Sequence, residues 1–219
     1  MHTYNNCDEL LNALEGNNNG KKEDVKKEDK KKEEKKKEKR MDALIVITNI
    51  DECSVSGYMT QFQKIEDELK RVKEKKLGKK MYPKVTVRIS SVGGSVDAAN
   101  MVISMMEKLK KLGVEINTEC AGFAYSSGML IFLHGMKRTF IDKKFCYLMW
   151  HQCFIGAGGK LANAECYVDF VKTKMWREHE KYLINNTNVT MEILDQRTVK
   201  NIEWFIDYKE AKKLGIVTE

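Results

Sequence analysis

The spacing of apolar residues changes period several times along this chain, and each change marks an element. Residues 43–48 (ALIVIT) form a short unbroken apolar run, as expected of a strand buried on both faces. Residues 54–74 carry Phe62, Ile65 and Leu69 at helical spacing among many charges, which predicts an amphipathic helix. In VTVRIS (85–90), Val85, Val87 and Ile89 alternate with other residues at the two-residue period of a strand. From Ser95 onward Ala98, Ala99, Val102, Met105, Met106, Leu109 and Leu112 recur at threes and fours, and Gly113 supplies the residue that ends such a helix. Residues 114–120 read as another strand. GFAYSSG (122–128) then leads into MLIFLH, a buried helix that begins near Ser126.

Two short strands follow, at 139–141 and at 145–150 (FCYLMW), the second ending directly before His151. GAGG (156–159) opens a long helix to about residue 184, with Ala162, Cys166, Phe170, Lys174, Trp176 and Arg177 along its length. Short helices at 189–197 and 207–213 flank a stretch of ambiguous period, and GIV (215–217) reads as a final strand. Repeated βα units imply an α/β fold with a parallel-rich sheet, helices packed outside it and right-handed crossovers.

Composition changes this picture mainly at the front of the chain. Residues 8–15 (DELLNALE) predict a short packing helix, followed by the turn-rich GNNNG, so that 1–20 form a small leading segment. Residues 21–40 hold twelve Lys or Arg against seven Asp or Glu and a single apolar residue, Val25. Nothing there can pack, and we expect a low-complexity insertion over 21–41, either disordered or a fraying Glu/Lys helix. The folded domain then spans 42–219, with a second lysine-rich stretch at 75–80 just before the lone proline, Pro83.

The insertion carries five of the seven net positive charges, so the remainder of the chain is nearly neutral. Its lysines are diluted by acids and have no interleaved aromatics to stack on bases, which argues against a nucleic-acid role. Six cysteines (Cys7, Cys53, Cys120, Cys146, Cys153 and Cys166) form no CxxC pair, and several lie in apolar runs, which fits a reducing compartment. His151-Gln-Cys153 is too sparse for a zinc site, so no metal or cofactor is expected. No apolar run approaches the ~20 residues that span a bilayer, and no membrane role is expected.

Candidate chemistry gathers at three junctions. In open α/β folds active groups collect where strands end and helices begin. Gly93-Gly94 follows a strand and precedes a helix, leaving N–H groups free to face an anion. Ser126 opens a helix, where the Ser127 N–H would favour negative charge on a tetrahedral intermediate. His151 ends a strand. Serine becomes a useful nucleophile only with a base beside it and donors for the oxyanion, so the joint order of the three carries the reading. Each alone has a plainer meaning as turn, helix cap or packing group.

These motifs resemble those of the proteolytic subunits of the ATP-dependent Clp protease, over roughly residues 43–218. ISSVGG (89–94) is similar to the family's glycine turn, with Val92 where a proline is usual. GFAYSSG (122–128) matches its Gly-x-Ala-x-Ser-x-Gly nucleophile motif, and MWHQ (149–152) its histidine motif, with Cys153 where a proline usually follows. The ending from Glu210-Ala211 to Leu214-Gly215-Ile216 is similar too. The resemblance implies that Ser126 attacks the peptide carbonyl, that His151 is general base and then acid, and that Gly94 and Ser127 supply oxyanion N–H groups. It implies two stacked seven-membered rings, built from this chain or with an active Clp subunit, joined by a handle that 155–185 would form. An AAA+ unfoldase partner and unfolded polypeptide substrates are implied as well, with a reduced axial loop, because only twenty residues precede the lysine tract.

The third triad member departs from the family pattern. Counting forward from the 190s reaches Asn201, counting back from Ala211 reaches Glu203, and the two differ by two residues, which places an insertion in between. Asp195 and Asp207 lie away from both counts. If Asn201 fills the slot, the histidine loses the carboxylate that fixes its tautomer; Glu203 would restore one. The expectation is therefore a ClpR-like subunit with weakened or absent hydrolysis, or else a fully active serine endopeptidase that uses Glu203. The same residues would also suit a thioester-polarising crotonase-type site or a pure assembly scaffold. Lysine- and asparagine-rich tracts hint at a plastid-type organelle stroma.

Overall fold

Val85, Val87 and Ile89 are fully buried, and strand β2 (Lys84–Ser91) that carries them forms the second rung of a six-stranded sheet. The computed structural model describes residues 42–74, 84–198 and 203–219, all within the unit Met41–Glu219. The helix expected at 8–15, the lysine tract, the 75–80 stretch, Pro83 and Asn201 lie outside the described residues. Strand β1 (Asp42–Ile47) pairs with β2 in parallel, Ile45 opposite Val87. Helix α1 (Glu52–Glu74) follows β1 and buries Phe62, Ile65 and Leu69.

Helix α2 (Val96–Lys111) buries Ala98, Ala99, Val102, Met105, Met106 and Leu109, the positions that its period selects. Ser95 caps it by accepting the Ala98 N–H at 3.2 Å, and Lys108, Lys110 and Lys111 in its last turn complement the helix dipole. Strand β3 (Glu115–Tyr125) is longer than the 114–120 expected from sequence, and it changes neighbour midway. Thr118–Cys120 pair with β4 (Arg138–Phe140), and Phe123–Tyr125 pair with β5 (Tyr147–Trp150), all in parallel. Gly122, at φ +83, lies between the two paired stretches. Helix α3 (Ser127–Leu133), buried throughout, leaves directly from the end of β3.

Beyond His151 the chain is open to solvent, and the side chain of Phe154 is 92% exposed. Helix α4 (Leu161–Phe170) buries none of its residues. It runs through one wide π-type turn (Val171–Met175) into α5 (Trp176–Asn185), so the long helix expected from sequence is present but interrupted. Helix α6 (Met191–Thr198) precedes strand β6 (Trp204–Ile206), and α7 (Tyr208–Lys213) follows it. Strand β6 lies in the stretch left ambiguous by period. Three residues, buried-exposed-buried, are too few to show one, and only its antiparallel pairing with β5 defines it.

The final strand expected at 215–217 is not formed. These carbonyls serve a side chain instead: buried Arg138 donates from Nε to Ile216 O at 2.7 Å, and from Nη2 to Gly215 O at 2.9 Å and Asn186 O at 3.0 Å. Val217 and Ile216 also donate back to Ala211 O, folding the segment against α7. A backbone whose acceptors are taken by a guanidinium cannot join a ladder.

A buried polar contact ties α2 to α5. His134 stacks on Tyr182 with ring centroids 3.7 Å apart, and its Nδ1 is 2.9 Å from Glu107 Oε1. Burial above all pulls the His134 imidazole down to about 4, against the pull of the Glu107 carboxylate, so at neutral pH it is uncharged and donates its Nδ1–H. Burial lowers His179 on α5 as well. A histidine depressed in the folded state stabilises above its unfolded pKa near 6.5 and loses that contribution as pH falls toward 4. We expect stability measured by urea unfolding to drop across this window, by about 3 kcal/mol from His134. His134→Gln should flatten that part of the profile.

Candidate active site

Tyr125 on β3 faces Met149 on β5 in the parallel ladder, and the next residue continues the pairing: the Ser126 N–H donates to Met149 O at 2.8 Å. Ser126 then turns sharply, at φ +52 and ψ −122, and α3 begins. A non-glycine residue in this region costs about 1–3 kcal/mol, held here by the ladder on one side and the helix on the other. Met129 and Leu130 donate their N–H groups to Ser126 O at 2.9 and 3.2 Å. The result is a hydroxyl projected from the junction, with no capping bond of its own to the helix.

Strand β5 ends at Trp150, one residue before His151, so the imidazole arrives beside the serine. His151 Nε2 is 2.7 Å from Ser126 Oγ. For the ring to accept the serine proton at Nε2, its own proton must be on Nδ1. Among the described residues no carboxylate makes a hydrogen bond or ion pair with this ring. The opposite strand comes close to supplying one. Antiparallel pairing ends at Trp150 against Trp204, and His151 and Glu203 are the residues just beyond that last pair. Glu203 is exposed and lines, together with His151, Gln152 and Phe154, a cleft of about 260 Å³.

The remaining carboxylates considered from sequence stand elsewhere. Asp207 accepts the Glu210 N–H at 2.8 Å as the cap of α7, and Asp195 is exposed on α6. Asn201 lies outside the described residues.

The glycine turn abuts the serine. Ser95 donates its N–H to Ile50 O at 2.7 Å, and the C=O of Gly94 faces the Ser126–Ser127 junction. Gly94 O there accepts the Ser127 hydroxyl at 2.8 Å. One expectation needs correcting: the Gly93 N–H is not free for an anion, because it donates to Ser91 Oγ at 3.2 Å. Its hydroxyl acceptor folds back from the end of β2, a local turn bond that a strand-then-helix reading does not reveal. Gly93 is instead a matter of space. At φ +104 it allows close approach, and a Cβ there would meet Ser126 Cβ at 2.7 Å and Ser126 Oγ at 3.2 Å.

Several site residues were not visible in sequence. Val171 and Met175, from the wide helical turn, close a second cavity of about 190 Å³ against Gly94 and Phe154. The spacing along that helix picks out Ala162, Cys166 and Phe170, whereas the face turned to the site is Tyr167, Val171 and Met175, one residue further on. Their spacing of four was the available signal. Among the described residues no group of three or more His, Cys, Asp or Glu could hold a metal ion.

A serine on a strained strand-to-helix junction, hydrogen-bonded to a histidine at a neighbouring strand end, is the arrangement of a serine hydrolase on an α/β sheet. Comparison with known proteins identifies the family. A Clp protease family profile matches residues 77–219, and the chain belongs to the Clp protease family. It is 26% identical over 133 residues, 61% of this chain and 67% of the relative, to ATP-dependent Clp protease proteolytic subunit 2 of Bacillus licheniformis.

Replacing Gly93 by alanine should displace the Ser126 side chain without disturbing the core. We expect labelling of Ser126 by a fluorophosphonate probe to slow about 10²-fold, the cost of a misplacement near 1 Å, with thermal unfolding only modestly shifted.

Proposed function

We propose that this chain is a proteolytic-type Clp subunit in which Ser126 and His151 form a working dyad but peptide-bond hydrolysis is attenuated, because the imidazole lacks a bound carboxylate. The carrying observation is the His151 ring itself, 2.7 Å from Ser126 Oγ on one side and without an acid partner among the described residues on the other. In this reading His151 Nε2 takes the serine proton as Oγ attacks the carbonyl carbon and returns it to the leaving amine; it then takes a proton from the water that cleaves the acyl-serine ester and returns it to Oγ. The Gly94 and Ser127 N–H groups receive the oxyanion. Without a carboxylate at Nδ1 the imidazolium formed in the transition state is less stabilised and the productive tautomer less favoured. Members of this family generally form oligomeric rings. We extend that to this chain, alone or mixed with a more active subunit, acting on unfolded polypeptide in a plastid-type organelle stroma.

A second reading is favoured by one observation, that Glu203 and His151 line the same cleft just beyond the last β5–β6 pair. Rotation of the Glu203 side chain onto Nδ1 would complete a Ser-His-Glu triad and restore full turnover.

Glu203→Gln separates the two readings. We expect fluorophosphonate to label wild type and not Ser126→Ala, and Glu203→Gln to change peptide hydrolysis and labelling by less than about threefold, since the carboxylate is not engaged. A loss approaching about 10⁴-fold in turnover, the effect of removing a triad acid that works, would establish the full triad instead.

A further inference from the structure

We propose that the side-chain hydroxyl of Ser127 is a positioning group for the oxyanion: it clasps the glycine turn to the nucleophile junction and so sets the spacing of the two N–H donors. The inference deepens the hydrolase reading above and rests on it for the oxyanion itself. Ser127 is only 1% exposed, and its Oγ donates to Gly94 O at 2.8 Å. The nucleophile motif, Gly-x-Ala-x-Ser-x-Gly, prescribes nothing at this position, so the hydroxyl does not come with the family pattern.

Hydrogen bonds hold the glycine turn on three sides. The Gly93 N–H donates to Ser91 Oγ at 3.2 Å, which ties it to the end of β2, and the Ser95 N–H donates to Ile50 O at 2.7 Å, which ties it to the segment after β1. The third bond, from Ser127, reaches the junction that carries Ser126. The two N–H groups that the hydrolase reading assigns to the oxyanion, those of Gly94 and Ser127, donate no hydrogen bond among the described residues. Both belong to the residues that the hydroxyl joins, so lengthening that bond would move one donor relative to the other. An oxyanion gains most where both donors reach it together, at about 2.7–3.1 Å. The plainer account is that a buried hydroxyl needs an acceptor and takes a nearby carbonyl, with no consequence for the chemistry.

The test uses the full chain and acetyl-leucyl-phenylalanyl trifluoromethyl ketone. Ser126 Oγ adds to the ketone carbon, the carbonyl electron pair moves onto oxygen, and the serine proton passes to His151 Nε2, so nothing leaves and no further reactant is needed. The fluorine NMR resonance of this hemiketal, titrated with pH, gives the pKa of its oxyanion, which donors to the charged form lower. We expect Ser127→Ala to raise that pKa by about one pH unit, about tenfold in oxyanion stabilisation, and to slow fluorophosphonate labelling about tenfold. Ser127→Thr, which keeps a hydroxyl, should recover most of both. An unchanged pKa in Ser127→Ala, whatever happens to its labelling or thermal unfolding, would overturn the proposal, and so would an equal rise in Ser127→Thr. A wild type that forms no adduct would overturn it too, and one that fluorophosphonate also fails to label would remove the hydrolase reading itself. Normal labelling with no dependence on the hydroxyl would remove the positioning role alone.

Discussion

The parallel register between β3 and β5 decides where the chemistry can be. With Tyr125 beside Met149, the ladder runs one bond further, from the Ser126 N–H to Met149 O, and only then does β3 give way to a helix. That bond holds Ser126 in a backbone conformation that its side chain disfavours, and it aligns the end of β3 with the end of β5. His151 follows within two residues of the acceptor. A slip of one position would turn the hydroxyl to the other face of the sheet, because side chains alternate along a strand.

The surrounding structure makes this register hard to change. Strand β3 exchanges one neighbour for another around Gly122, whose N–H donates to Cys146 Sγ at 3.2 Å while Cys146 donates to Cys120 O at 3.1 Å. Both thiols are buried, and burial drives the Cys120 thiol far above its usual range, so they serve as small packing and hydrogen-bonding groups. Further out, buried Arg138 gathers carbonyls from the segments after α5 and after α7. A single side chain thereby fixes two irregular segments that no ladder reaches. The strained serine is tolerated because the ladder before it and the buried helix after it are so fully determined.

Periodicity in the sequence disclosed most of the fold. Strand β2 and helix α2 were legible because each buries one repeating set of positions, Val85-Val87-Ile89 and Ala98 through Leu109, against the same core. Elements that depend on a partner were not. Strand β6 is three residues long and exists through its pairing with β5, and 215–217 reads as a strand although its acceptors belong to Arg138. The wide turn at Val171–Met175 shifts the helical face by a residue, which a regular period cannot anticipate. At the site, the residue types at three strand-helix junctions were legible. The engagement of the Gly93 N–H by Ser91 was not, nor was the cavity that Met175 closes, since both are made by approaches between segments.

By itself, the amino-acid sequence determined an α/β chain with a serine, a histidine and a glycine turn at the ends of successive elements, because burial periods and turn residues are properties of short segments. The tertiary structure alone decided that Ser126 meets His151 at 2.7 Å, that Glu203 and His151 line one cleft, and that Asp97 shares a cavity with residues some seventy positions away. Distances between side chains on different elements follow from strand register and helix packing, and those are set jointly by the whole core.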